Sequence, residues 1–83
     1  MDATMRTVKD FILEQFLPGE NPDQLTESTP LFSSGLLDSI ASLQLVTFLE
    51  KQFGIAVQAH EVVADNLNSL KAIATFVKAK TKT

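Results

Sequence analysis

Apolar residues recur at helical spacing along three separate stretches of the chain. Between Thr4 and Leu17, the residues Met5, Val8, Phe11, Ile12, Phe16 and Leu17 fall on one stripe. This predicts a first helix, capped by Asp2 or Thr4 and ended by Pro18-Gly19. A second helix is predicted from Ser39 to Phe53, stopped by Gly54. Its expected inner face is Ile40, Leu43, Val46, Leu49 and Phe53, with Ser42, Gln44, Glu50 and Lys51 in water. Ser69 can cap a last helix that buries Leu70, Ile73, Ala74 and Val77 and wets Lys71 and Lys78. Before it, Ile55 and Val57 lead to a short helical turn expected over Glu61 to Asp65, too brief to stand without packing, which Asn66-Leu67-Asn68 then breaks. Strand-like alternation is weak throughout, and there is no repeat or low-complexity segment. The expected fold is all-α: a small four-helix bundle of three main helices and one short one, in a single domain spanning residues 1–83.

The segment from Glu20 to Leu37 belongs to none of these helices. It holds Pro22, Pro30 and Gly35 among many Ser, Thr, Asn and Asp residues, and so reads as a long loop between the first and second helices. Loops beyond about 12–15 residues in a compact domain are usually functional or disordered. Apolar anchors at Leu25, Leu31 and Phe32 favour an ordered strap across the bundle.

Composition narrows the chemistry. With 45% hydrophobic residues in 83, the chain can fold, yet no apolar run approaches the ~18–20 residues that cross a bilayer. A chain this size buries only about 60–65% of its unfolded surface, so its core must be compact. Cysteine is absent, which removes disulfides, thiolate metal sites and a native nucleophilic thiol together. A net charge of −3 with only seven Lys and Arg residues argues against nucleic acid as a partner. Four of the seven (Lys71, Lys78, Lys80 and Lys82) suit the negative end of a terminal helix. The start of the chain has neither a secretory nor a transit pattern, so cytoplasmic residence is expected. Met1 and the lysine-rich end favour a free-standing protein.

Gly35-Leu36-Leu37-Asp38-Ser39-Ile40 sets a serine behind an aspartate where the loop gives way to the second helix. Taken alone, such a pair is an ordinary helix cap. A helix start also offers unpaired N–H groups and the positive end of the macrodipole, so a phosphate esterified to Ser39 would meet a favourable field. Nothing nearby makes Ser39 a catalyst. There is no G-x-S-x-G elbow, His60 lies on a separate segment, and Lys51 is about three turns further along the same helix. Ser39 therefore reads as the substrate of another enzyme, and a small serine hydrolase is the weakest of the alternatives. His60 reads as solvated, having only Glu61 and Asp65 near it as metal-type residues.

The stretch Phe32-Ser33-Ser34-Gly35-Leu36-Leu37-Asp38-Ser39-Ile40, followed by Leu43, Leu45, Phe53 and Gly54-Ile55, resembles the phosphopantetheine-dependent carrier proteins, a family of acyl, aminoacyl and peptidyl carriers. Asn66-Leu67-Asn68-Ser69-Leu70-Lys71-Ala72-Ile73 is similar to the start of the last helix in peptidyl carriers. The resemblance covers nearly the whole chain. It implies that Ser39 accepts 4′-phosphopantetheine from coenzyme A, that Asp38 helps present the site, and that the protein is a carrier and not an enzyme. The partners implied are a phosphopantetheinyl transferase, an adenylating or acyl-loading enzyme, and downstream acyl-processing or condensing enzymes. A monomer is expected.

A carrier without cysteine needs an imported thiol, and a long arm both supplies one and raises the effective concentration of cargo at a docked enzyme. The expected docking surface surrounds Ser39: Leu37 from the loop, Ile40 and Leu43 on the helix shoulder, and Val62 and Val63 of the short helix. Fatty-acid carriers typically have an acidic second helix, whereas Ala41, Gln44, Lys51 and Gln52 stand in such places here and Glu50 alone remains. That favours an aminoacyl or specialised acyl cargo of nonribosomal peptide or polyketide type. The approach Leu31 to Ser39 also resembles D-alanyl carriers of cell-wall modification. A fatty-acid carrier and, in another class, an unmodified helical interaction module stay open.

Overall fold

The computed structural model describes residues 2–19 and 21–81. Met1, Glu20 at the head of the loop, and Lys82 among the terminal lysines lie outside them. Four helices form: α1 (Ala3–Phe16), α2 (Ser39–Phe53), α3 (Ala64–Leu67) and α4 (Leu70–Thr81). Single 3₁₀ turns at Pro22–Gln24 and Ala59–Glu61 punctuate the connections, and no strand occurs among the described residues. The all-helical expectation holds.

Each main helix begins where a polar side chain satisfies its first free amides. Asp2 caps α1 by accepting the Met5 N–H at 2.9 Å, and Ser69 accepts the Ala72 N–H at 3.0 Å at the head of α4. The Asp2 carboxylate also pairs with the Lys78 ammonium of α4, which holds its pKa below the ordinary aspartate value, helped by the Met5 N–H. At the other end of α2, Gly54 takes the left-handed conformation at φ 65°, the region that a residue without Cβ enters most cheaply.

Helix α4 packs on α1 and α3, and α2 packs on both α1 and α4. The shared core includes Val8 and Ile12 of α1, Leu45 and Leu49 of α2, Leu67 of α3, and Leu70, Ile73, Phe76 and Val77 of α4. Phe11 and Phe48 stack across α1 and α2, with centroids 4.1 Å apart. The long loop crosses this core with Leu25 and Leu31 buried and Phe32 half-buried, as a strap should.

Several expectations are corrected, beginning with α2, where Ser42, assigned to water, is buried. The inner face of α2 is Ala41, Ser42, Leu45, Val46 and Leu49, whereas Ile40 and Leu43 are 69% and 62% exposed. The α2 sequence is apolar on several sides, so its periodicity fits more than one rotation, and a buried serine settles which one. Ser42 donates its hydroxyl to the Asp38 carbonyl at 2.7 Å, and among the described residues no buried side-chain polar atom is left without a partner. Glu50, assigned to water, is half-buried and accepts the Val57 N–H at 2.9 Å, which folds the chain back after α2.

The short helix also starts and ends later than Glu61 to Asp65. Gln58 and Glu61 exchange reciprocal capping bonds around the 3₁₀ turn, and Val63 is extended at φ −135°, ψ 160°. Two adjacent β-branched residues therefore separate the turn from α3. Asn66 does not break the chain there: its amide donates to the Glu61 carbonyl at 2.8 Å, and Leu67 is fully buried as the last residue of α3.

Candidate functional site

The loop does not drift into α2; it is wound into a bonded turn just before it. The Ser34 hydroxyl donates to the Leu31 carbonyl at 3.2 Å, Gly35 N–H donates to Phe32 at 3.0 Å, and Leu37 N–H returns to the Leu31 carbonyl at 3.0 Å. Gly35 sits at φ 84°, where a Cβ would strain the backbone. The turn is tied to the α3–α4 junction through Asn68, whose carbonyl accepts the Leu31 N–H at 2.7 Å.

Asp38 then starts the helix. Its carboxylate accepts the Ala41 N–H at 2.8 Å, and its carbonyl accepts the Ser42 N–H at 2.9 Å in addition to the Ser42 hydroxyl. Ser39 is the first helical residue, exposed, and its hydroxyl bonds to nothing among the described residues. The same first turn leaves amides directed outward at the positive end of a 15-residue helix, a setting that favours an anionic group.

Beside Ser39 lies an open groove of about 560 Å³, lined by Phe32, Leu37, Asp38, Ser39, Ser42, Leu43 and Val62. The structure thus gathers Leu37, Asp38, Ser39, Leu43 and Val62 in one place. Ile40 projects from the shoulder of α2 into solvent, and Val63 is 41% exposed but does not line the groove. Leu37, expected as a contact surface, is only 5% exposed: its side chain is part of the core. The apolar face open to a partner there narrows to Ile40, Leu43 and the edge of Val62.

Glu61, the chain neighbour of the groove residue Val62, is held in an ion pair. Lys80 contacts both Glu61 carboxylate oxygens at 2.8 and 3.1 Å, and Gln58 N–H donates to one of them at 2.8 Å. The Lys80 ammonium first, and the Gln58 N–H second, hold the Glu61 carboxyl below its ordinary pKa. His60 is exposed within the same turn, and no three metal-ligating side chains converge among the described residues. Asn68 and the Glu61–Lys80 pair were not singled out in the sequence. The polar character of Asn68 was legible, but its partners at Phe32 and Ser33 lie 36 and 35 positions away, beyond any local pattern.

A bonded turn, a capped helix start and a serine hydroxyl without a partner among the described residues thus stand together at the head of α2. The profile of the family described as "Phosphopantetheine attachment site" matches residues 13–77, so the chain belongs to the phosphopantetheine-dependent carrier proteins, which are carriers and not enzymes and hold a covalently attached 4′-phosphopantetheine. Within that class it is similar to the probable acyl carrier protein PigG of Serratia sp. (strain ATCC 39006). The two are 33% identical over 67 residues, covering 81% of this chain and 76% of that protein.

Proposed function

We infer that Ser39 is the attachment point of the prosthetic arm and that this protein carries an acyl or aminoacyl group for specialised biosynthesis. The observation that carries the reading is the exposed, unbonded Ser39 hydroxyl at the head of α2, directly after the Asp38 cap. In the modification, Ser39 Oγ forms a phosphodiester bond as the pyrophosphate of coenzyme A breaks. The hydroxyl loses its proton, and adenosine 3′,5′-bisphosphate leaves.

The residues present suit the group. The outward amides of the first α2 turn favour its phosphate, and the groove toward Phe32 and Val62 offers apolar surface beside it. Once attached, the group supplies a terminal thiol that holds cargo as a thioester, in a chain with no cysteine of its own. Asp38 keeps Ser39 at the helix start, and Ile40 and Leu43 offer exposed apolar contacts on either side of the same shoulder.

Family carriers are served by a phosphopantetheinyl transferase and by biosynthetic enzymes. For this chain, the exposed face of α2 carries Ser39, Ile40, Leu43, Gln44, Thr47, Lys51 and Gln52, with no acid among them, and the one acid of the helix is bonded to Val57. That face supports an aminoacyl or specialised acyl loading enzyme over one that recognises an acidic helix. A monomer in the cytoplasm is the corresponding setting.

Intact mass spectrometry tests the reading. Incubated with coenzyme A and a broad-specificity phosphopantetheinyl transferase, the wild type gains one adduct and Ser39→Ala gains none. An unmodified wild type overturns the carrier reading in favour of a helical interaction module. Loading the modified protein with a panel of amino-acid and acyl adenylating enzymes then selects the cargo, with D-alanine or a fatty acyl chain as outcomes against a specialised one.

A further inference from the structure

Asn68 bonds to a turn 35 and 36 residues away in sequence. Its Oδ1 accepts the Phe32 N–H at 2.8 Å and the Ser33 N–H at 3.1 Å, and its Nδ2 donates to Ser33 Oγ at 3.2 Å. Its main-chain carbonyl accepts the Leu31 N–H at 2.7 Å. Among the described residues, no other side chain from outside the 31–37 turn bonds to it.

The grip is passed along the turn. Leu31 and Phe32 in turn accept the N–H groups of Leu37 and Gly35, so fixing the first three residues of the turn fixes its last three. Leu37 leads directly into Asp38 and Ser39, and Phe32 itself lines the groove beside Ser39. A side chain at the α3–α4 junction thereby sets the approach to the head of α2.

We propose that Asn68 is a positioning residue for modification at Ser39: by holding Phe32 and Ser33 it keeps the turn, and with it the Asp38-Ser39 helix start, in the conformation a transferase engages. The proposal rests on Ser39 being the modified residue. A turn released from Asn68 samples other conformations, and a transferase that engages one of them sees its apparent affinity fall by the populated fraction. Complexes that do form react as before, so the loss falls on KM and spares kcat. An oxygen that accepts two successive amide protons needs two lone pairs free; an aspartate carboxylate offers them where the asparagine carbonyl stands, and leucine of similar size offers none.

Steady-state transfer from coenzyme A by a broad-specificity transferase, on wild type, Asn68→Leu, Asn68→Asp and Val77→Ala, tests this. Asn68→Leu should raise KM for the carrier about tenfold with kcat within about twofold, and Asn68→Asp should return KM to within about threefold of wild type. Val77→Ala removes core methyl groups from α4 and lowers global stability, yet should leave KM unchanged. Hydrogen exchange on the unmodified wild type needs no variant to fold: the Phe32 and Ser33 amides should exchange at least about tenfold more slowly than that of exposed Ser28. The proposal is overturned by an unchanged KM in Asn68→Leu, an equal rise in Val77→Ala, a loss that aspartate does not rescue, or unprotected Phe32 and Ser33 amides. A wild type that takes no adduct removes the reading of Ser39 and this proposal together, whereas an adduct formed with equal KM on all variants overturns this proposal alone.

Discussion

At Asp38, one residue serves both the fold and the site. Its carboxylate satisfies the Ala41 amide and its carbonyl receives two bonds from Ser42, so the start of α2 and the buried serine depend on the same position. Asp38→Ala should lower unfolding stability by about 1 kcal/mol through the lost cap, while Asp38→Asn keeps most of it. Ser39→Ala, which removes a hydroxyl without a partner, should stay within about 0.5 kcal/mol of wild type. Urea denaturation of the three variants checks both statements, and a large loss in Ser39→Ala would mean that the hydroxyl is structural. The cap and the free serine were legible because both depend on near neighbours. The rotation of α2 was not: Ile40 and Leu43 are as apolar as the residues that do turn inward, and only the bonded Ser42, apparent in three dimensions, separates the two faces.

At the scale of elements, the starts of the three main helices and the stops of the first two were readable, since caps, glycine and proline mark them locally. The segment between α2 and α4 was not, because long-range contacts hold it. Glu61 reaches forward to Lys80 on α4, and Leu67 is drawn into the core from a helix of only four residues. The Glu61 carboxyl has a lower pKa in the folded chain than the ordinary value of 4.5. Its pairing therefore stabilises the fold fully above about pH 4.5 and is lost as pH falls through the lowered value. The stability gap between wild type and Lys80→Met should accordingly be present at neutral pH and close on acidification. Chemical denaturation across the acid range measures it, and a gap independent of pH would assign the effect of Lys80 to its packing over Phe76, whose ring centre lies 5.9 Å from the ammonium.

Across the whole molecule, a net charge of −3 says little about how partners are met, because no acid is exposed on α2. Association through that face should be governed by apolar contact with Ile40 and Leu43 more than by long-range attraction. Raising the ionic strength about tenfold should change KM for the carrier in transferase assays by less than about threefold. A steep salt dependence would instead place the contact on the acidic parts of the surface. The bundle could be read from the chain because its helices bury periodic stripes. The way the strap ties α3 to the head of α2 could not, since it passes through one asparagine and a few backbone amides.

The carboxylate that caps the first helix also meets a lysine on the last, so the head of α1 and the final turn of α4 share one corner of the bundle. A short glycine bridge joining those two helix ends would make the backbone between them a ring, which could be reopened in an exposed loop to give the same helices in a new order.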